Sequence, residues 1–340
     1  MVRQEMYYRR VISDKLMKLL LVRGGLHWLY QLVKEREDLD FLIGANKSKQ
    51  WIYVYRGTTR LLDITEKRGL VNVSANRKYL DLAERNNLNI YSLRQTLDLN
   101  FKDDFIRLIS CLSQDKKLDK HYVNKKEGYF QNLFSRQFGV CAKGTEDFVV
   151  IDKEAVIGFK NKATKEKYFG EQRKRFMEIN RCLSELDPKR YGSKLSGKSL
   201  GNELDFLAIN RSGDILLIEF KHGSSTKGIY LSPIQIGLYF SLFQDYLTHH
   251  RQDCIRNIED MVKQKKDMGF VPKNFPTVPL NGRIVPMLII AEHNPRSSAM
   301  DKFKDVLKIC RKGLQEDAFL SDLKICSYNE NGQITPIIIS

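Results

Sequence analysis

Cysteine is sparse and scattered in this 340-residue chain. The six (Cys111, Cys141, Cys182, Cys254, Cys310, Cys326) form no CxxC pair and have no histidine at zinc-finger spacing. That distribution argues against a disulfide scaffold or a metal knuckle and points to reduced thiols in a cytoplasmic protein. No run approaches the ~18 uncharged apolar residues of a membrane span, so no membrane partner is expected. The opening Met1–Glu5 is charged and lacks the apolar core of a signal peptide. No internal repeat and no low-complexity linker is visible, so no linker marks a domain boundary.

Acidic residues are in deficit. Lys and Arg number 57 against 41 Asp and Glu, a net charge of +16. Residues 1–150 contribute 27 − 18 = +9 and residues 151–340 contribute 30 − 23 = +7, so the excess is no basic tail. A field of this sign attracts polyanions and is a common footprint of nucleic-acid binding, although a solvated basic surface has the same composition. Hydrophobic residues make up 42% of the chain, enough for a real core in one large domain or two.

Along the chain, residues 5–36 read as helix broken at Gly24-Gly25, with Leu16, Leu19, Leu20, Leu26, Leu29 and Leu32 as its apolar stripe. Strands are expected at 41–43, 51–55 and 60–64, and mainly helix over 92–138. A hairpin is expected over 148–159, turning at Asp152-Lys153-Glu154. The domain boundary falls near 145, at the glycine-flanked turn Gly139–Gly144, and leaves an N-terminal α+β domain (1–145) and a C-terminal domain (146–340). In the latter, a helix over 164–186 carries Tyr168, Gln172, Phe176, Ile179, Leu183 and Leu186 on one face. A polar connection over 187–202 leads to strands at 204–209 and 214–221. Helices are expected from Ser232-Pro233 to about 248 and over 251–266. A strand at 284–291, a helix at 298–315 and a closing hairpin through Asn331-Gly332 complete a mixed α/β architecture.

Residues 203–221 carry the chemistry. A five-residue loop, 210–214, sets Ile209 opposite Ile215, Leu207 opposite Leu217 and Asp205 opposite Glu219. Side chains alternate along a strand, so Asp205, Glu219 and Lys221 share one face, while Leu204, Phe206, Ala208, Leu216, Ile218 and Phe220 line the other. A slip of one residue would separate the two acids. Two carboxylates ~4 Å apart repel by about 4 kcal/mol at an effective dielectric of roughly 20. A divalent cation removes that cost, and hard oxygens suit Mg²⁺ or Mn²⁺. Lys221 would then orient or deprotonate a water, or stabilise phosphorane charge. The same residue types also make an ordinary salt-bridge network at a sheet edge.

Asp205, thirteen residues, then Glu219-Phe220-Lys221 at the end of an apolar strand resembles the D…(D/E)xK core of PD-(D/E)XK nucleases, with Leu204 where the family's proline stands. Gln235-Ile236-Gly237-Leu238-Tyr239 is similar to the QxxxY motif of the RecB and lambda-exonuclease branch, and spacing i, i+4 sets Gln235 and Tyr239 on one helix face. The resemblance covers about residues 164–292. It implies a restriction-endonuclease-like αβββαβ core with a mixed sheet and a Mg²⁺- or Mn²⁺-dependent nuclease, with DNA favoured over RNA. Asp205, Glu219 and the Phe220 carbonyl would be metal ligands. Lys221 is the implied water-activating group, and Gln235 and Tyr239 hold the site or the nucleic-acid backbone. The family's helix glutamate falls on Glu171 or Glu178. Glu171 is preferred as metal ligand and catalytic residue, although either is equally at home on an exposed surface. The family's usual company suggests mobile-element or phage defence. Residues 1–145 are assigned to substrate binding, a protein partner or a homodimer contact. Two other readings stay open: a nuclease fold that binds without cutting, and a nuclease gated by a partner.

Some signals are discounted. Gly192–Ser199 fits GxxxxGK[ST] literally, but a polar helix exit precedes it and a strand follows, the reverse of a phosphate-cradling P-loop. His222 belongs to the face opposite Lys221, and His249-His250 reads as a helix end. The clustered cysteines of iron–sulfur relatives are missing. Trp51, Tyr53 and Tyr55 at period two read as a core strand before they read as base-stacking groups.

Overall fold

The structure, a computed structural model, describes residues 6–76, 79–88, 93–94, 99–114, 122, 125–191, 203–275, 279–314 and 317–338. Its elements, in chain order, begin with Met6–Tyr7 (β1), Asp14–Leu20 (α1), His27–Glu35 (α2), Asp40–Ala45 (β2), Gln50–Arg56 (β3), Thr59–Lys67 (β4) and Leu70–Ala75 (β5). Leu80–Arg85 (α3), Leu93–Arg94 (β6), Leu99–Gln114 (α4) and Glu127–Ser135 (α5) follow, the last running into a π-helical turn at Arg136–Val140. Then come Phe148–Ala155 (β7), Gly158–Phe159 (β8), Lys162–Leu186 (α6), Leu204–Asn210 (β9), Ile215–His222 (β10) and Thr226–His249 (α7). Arg251–Asp267 (α8), Ile284–Ala291 (β11), Ala299–Leu314 (α9), Asp317–Asp322 (α10), Lys324–Tyr328 (β12) and Ile334–Pro336 (β13) complete the chain.

Contacts divide the chain into two compact units. Met1–Tyr8, Asp147–Glu259 and Pro276–Ser340 form one; Arg9–Glu146 and Asp260–Phe275 form the other. The second unit is an antiparallel sheet in the order β2-β3-β4-β5-β6 with helices against one face. Alternation explains it. Ile52 and Val54 of β3 join Leu16, Leu20, Leu29 and Val33 in the core, while Trp51, Tyr53 and Tyr55 cluster with Leu42 on the other face. Residues 6–13 are not helical as expected. Met6–Tyr7 pairs with Gly158–Phe159, and the first helix starts at Ser13, whose Oγ accepts the Leu16 N–H.

The first unit is built on a six-stranded mixed sheet in the order β13-β12-β11-β10-β9-β7. Strand β9 runs antiparallel to both β7 and β10, β10, β11 and β12 are parallel, and β13 returns antiparallel through Gly332 (φ 77°). Every residue of β11 is buried, as a parallel strand covered on both faces requires. Helix α7 packs on β10 and β11, with α9 and α6 against it. Phe176 of α6 comes so close to α7 that a Cβ on Gly237 would lie 2.8 Å from its ring. The protein is thus of mixed α/β class. Its order differs from the expected αβββαβ run, because α6 follows the first strand of the antiparallel trio instead of preceding it.

Three local expectations are corrected. Residues 148–155 form one continuous strand along β9, with a bulge between Val150 and Asp152, in place of a hairpin. Asp152 is buried and accepts the Tyr8 hydroxyl at 2.5 Å, which lets a polar stretch stay in the sheet. Helix α7 begins at Thr226, so Ser232 and Pro233 lie inside it. The proline has no N–H for the Ile229 carbonyl, and the Ser232 hydroxyl bonds that carbonyl at 2.7 Å instead. Leu186, expected on the apolar face of α6, is exposed at the helix end.

Candidate functional site

The turn between β9 and β10 is fixed by its own residues. Asn210 Oδ1 accepts the N–H groups of Ser212 (3.0 Å) and Asp214 (2.8 Å), and Gly213 takes a left-handed φ of 80°. The register that follows pairs Ile209 with Ile215, Ala208 with Leu216, Leu207 with Leu217 and Phe206 with Ile218. Asp205 and Glu219 lie one position beyond the last of these pairs, and Asp205 reaches β10 through its side chain. On the other face, Phe220 meets Phe206 and Tyr328 edge-on, which anchors the strand in the core.

On this frame the polar trio converges. Asp205 Oδ2 accepts the Phe220 N–H at 2.8 Å. Lys221 Nζ donates to Glu219 Oε1 at 2.5 Å and to the Phe220 carbonyl at 3.0 Å, and stands 3.8 Å from Asp205 Oδ2. One ammonium is therefore surrounded by three oxygens. The Glu219 side chain is 4% exposed, that of Lys221 11% and that of Asp205 25%, so Asp205 is the member that faces solvent.

Helix α7 closes one side of the site. The Tyr239 hydroxyl lies beside Glu203, two residues before Asp205. Burial, then the nearby charges of Glu219, Asp205 and Glu203, push the phenol well above its ordinary range. Gln235 is half-buried, one helical turn earlier. Gly228, in the first turns of α7, was not marked by any motif. A Cβ there would lie 3.0 Å from Lys221 Cδ and 2.5 Å from Ser225 Oγ, so the missing side chain is what leaves room for the lysine stem. Beyond the strand end, Gly223 donates to the Ala291 carbonyl at 2.6 Å, tying the exit of β10 to that of β11. The register of β7 also sets Glu154 opposite Asp205, between the pairs Lys153–Phe206 and Ala155–Leu204. Sequence reasoning missed it as the turn of a hairpin. Its backbone is left-handed (φ 50°) and its side chain exposed.

The helix glutamates are not brought into this group. Glu171 is exposed on α6, five residues and about 140° of helical turn from the Phe176 contact. Glu178 is exposed and paired with Arg181, which also bonds Glu185, a surface ladder. His222 Nδ1 accepts the Ser224 N–H in a local turn, and His249 Nδ1 meets the Asp245 carbonyl. The P-loop-like Gly192–Ser199 lies outside the described residues.

Two carboxylates and a carbonyl, already gathered on a positive charge, are a hard-oxygen donor set that fits Mg²⁺ or Mn²⁺. Among the described residues no three His, Cys, Asp or Glu side chains group as a metal site. The oxygens that could hold such an ion are those of Asp205, Glu219 and Phe220. No described helix is long and apolar enough to cross a membrane. Comparison of the chain with protein-family models, with curated proteins and with solved structures finds no match.

Proposed function

We propose that this protein is a divalent-cation-dependent nuclease of the PD-(D/E)XK type, with a variant of the restriction-endonuclease-like core in which α6 enters between β7 and β9, and with DNA as its preferred substrate. The observation that carries the reading is the Lys221 ammonium held by Glu219, the Phe220 carbonyl and Asp205 at one end of the β9–β10 ribbon. Asp205, Glu219 and the Phe220 carbonyl would hold Mg²⁺ or Mn²⁺. Such an ion supplies Lewis acidity toward a phosphate oxygen and lowers the pKa of a water.

The chain's own groups divide the remaining work. Asp205, the most exposed of the trio, faces the incoming phosphodiester. Lys221 presents a positive charge and a proton donor to the water or to the phosphate's developing charge. Buried Glu219 fixes that amine, and Gly228 leaves space for its stem. Tyr239 stays a neutral phenol beside the carboxylates. The basic composition favours encounter with a polyanion.

A second reading, a nuclease fold that binds without cutting, is favoured by the two-carboxylate donor set. The deciding experiment offers labelled single-stranded, duplex, branched and RNA substrates to wild type with Mg²⁺ or Mn²⁺, beside Asp205→Asn and Lys221→Ala. Cleavage by wild type that both substitutions remove supports the enzyme. No cleavage of any substrate, or equal cleavage by all three proteins, overturns it.

A further inference from the structure

The second unit carries a cationic, aromatic end of its sheet that the Asp205 site does not use. Antiparallel pairing of Ala45 with Gln50, Gln50 with Glu66 and Lys67 with Leu70 brings the hairpin tips 46–49 and 68–69 to the same end of the sheet. Lys47, Lys49, Lys67 and Arg68 are exposed there. The start of α1 docks on the same end: Ser13 Oγ donates to Glu66 Oε2 at 2.7 Å and Lys15 Nζ to the Gly69 carbonyl at 2.8 Å. Arg10 joins from the same segment. Six cations thus stand there beside three acids: Asp14, Glu66, which accepts the Ser13 hydroxyl, and Asp63, whose charge acts on Lys49.

Behind these cations lie two stacked rings. Trp51 and Tyr53 have centroids 5.8 Å apart at 16°. Arg10 stands over Trp51 at 5.3 Å, Lys49 over Trp51 at 5.5 Å and over Tyr53 at 5.9 Å, and Arg60 over Tyr53 at 4.6 Å. Both residues are only 6% exposed, clustered with Leu42 and Tyr55 and overlain by these cations. A cation over a ring at the surface gains only about 0.5–1 kcal/mol from it; Lys49 adds a bond to the Tyr53 hydroxyl at 3.1 Å and Arg60 an ion pair with Asp63 at 2.9 Å, contacts with which a phosphate competes. Phosphates that draw these cations outward would uncover ring faces on which unstacked bases can lie.

We propose that this sheet end is a binding surface for single-stranded nucleic acid, with Lys47, Lys49, Lys67 and Arg68 taking backbone phosphates and Trp51 and Tyr53 taking bases. Duplex, whose bases are already stacked, uses only the cations and binds more weakly. The surface goes beyond the proposed hydrolysis and does not depend on it.

The test uses the full chain in EDTA with Trp28→Phe, which leaves Trp51 as the one indole of two in the sequence. A fluorescein-labelled oligothymidylate is titrated by anisotropy, and its unlabelled form by indole emission. Binding should quench Trp51. Replacing Lys47, Lys49, Lys67 and Arg68 together by Gln should weaken it at least about tenfold and reduce the salt slope by about 3. Unchanged affinity and slope in that folded variant would overturn the proposal. So would unmoved Trp51 emission on binding, or binding of anionic phospholipid vesicles with none of the oligonucleotide. EDTA removes cleavage from the readout. Failure of the nuclease reading would instead appear as oligonucleotide binding without metal-dependent cutting.

Discussion

Asp205 is tied to the strand beside it, its Oδ2 accepting the Phe220 N–H at 2.8 Å between the positions of Glu219 and Lys221. The bond aims the carboxylate before any substrate arrives. Asn at this position keeps an acceptor for that N–H and loses only the charge, whereas Ala loses both. Asp205→Asn should therefore cut cleavage by about 10²-fold or more with little change in stability. Asp205→Ala should lose the same activity and a further 1–3 kcal/mol or so. Initial rates and urea unfolding separate the two effects. Near wild-type cleavage by the Asn protein would remove Asp205 from the machinery.

Lys221 carries the second test. Its amine is the counter-charge of a Glu219 side chain that is 4% exposed. Lys221→Met keeps the stem and leaves a buried carboxylate without its ammonium, a loss of about 3–5 kcal/mol in comparable pairs. A divalent cation held by the same oxygens would return part of that. Mn²⁺ should accordingly raise the melting temperature of Lys221→Met more than that of wild type, while cleavage is lost in both metals. Equal thermal shifts in the two proteins would argue that the oxygens around Lys221 are not the cation's ligands.

Gly228 separates activity from stability. In a helix, Gly→Ala ordinarily gains about 1 kcal/mol. Here the new Cβ would stand 3.0 Å from Lys221 Cδ, the flexible stem of the amine, and 2.5 Å from Ser225 Oγ. Gly228→Ala should keep or raise the melting temperature while the turnover number falls about tenfold or more and KM changes little, because the amine is displaced and not the substrate contacts. An unchanged turnover number would show that the lysine stem has room to spare.

The hairpin that bears the site was legible because its determinants are local. Period-two alternation, Asn210 and Gly213 set the register within a few residues, and the apolar run 284–291 could only be a strand buried on both faces. What failed to read depended on distant or unusual partners. Asp152-Lys153-Glu154 looks like a turn until Tyr8, 144 residues away, bonds Asp152 inside the sheet. Thr226 starts α7 without a side-chain cap from Ser225, so the signal that stood out was Ser232-Pro233. Glu171 illustrates a further limit. Helical spacing says which residues share a face but not what that face meets, and α6 turns Phe176, not Glu171, toward α7.

Tyr239 makes a prediction about pH. Its pKa is raised from an ordinary 10.0 by burial first and by the site's carboxylates second. The folded state therefore holds this proton more tightly than the unfolded chain does. Its contribution to stability is complete below pH 10 and is lost as pH climbs toward the raised value. Tyr239→Phe should flatten the alkaline fall in unfolding free energy above about pH 10 and leave the pH–rate profile below that point unchanged in shape. Tyr246, Tyr191, Tyr230 and Tyr30, all raised first by burial, stay in the variant and contribute to the remaining slope. A pH–rate limb near neutrality that disappears in Tyr239→Phe would contradict a permanently neutral phenol.

Ser232 and Pro233 should behave as one unit. The proline withholds the N–H that the Ile229 carbonyl would receive, and the fully buried Ser232 hydroxyl takes that place at 2.7 Å. Ser232→Ala alone strands a buried carbonyl and should cost about 1–3 kcal/mol. Pro233→Ala supplies an N–H at the regular i−4 spacing, so Ser232→Ala made in that background should cost at least about 1 kcal/mol less. Urea unfolding of wild type, the two single variants and the double variant yields the coupling directly. Equal costs for Ser232→Ala in both backgrounds would mean that the hydroxyl serves something other than the carbonyl the proline leaves open.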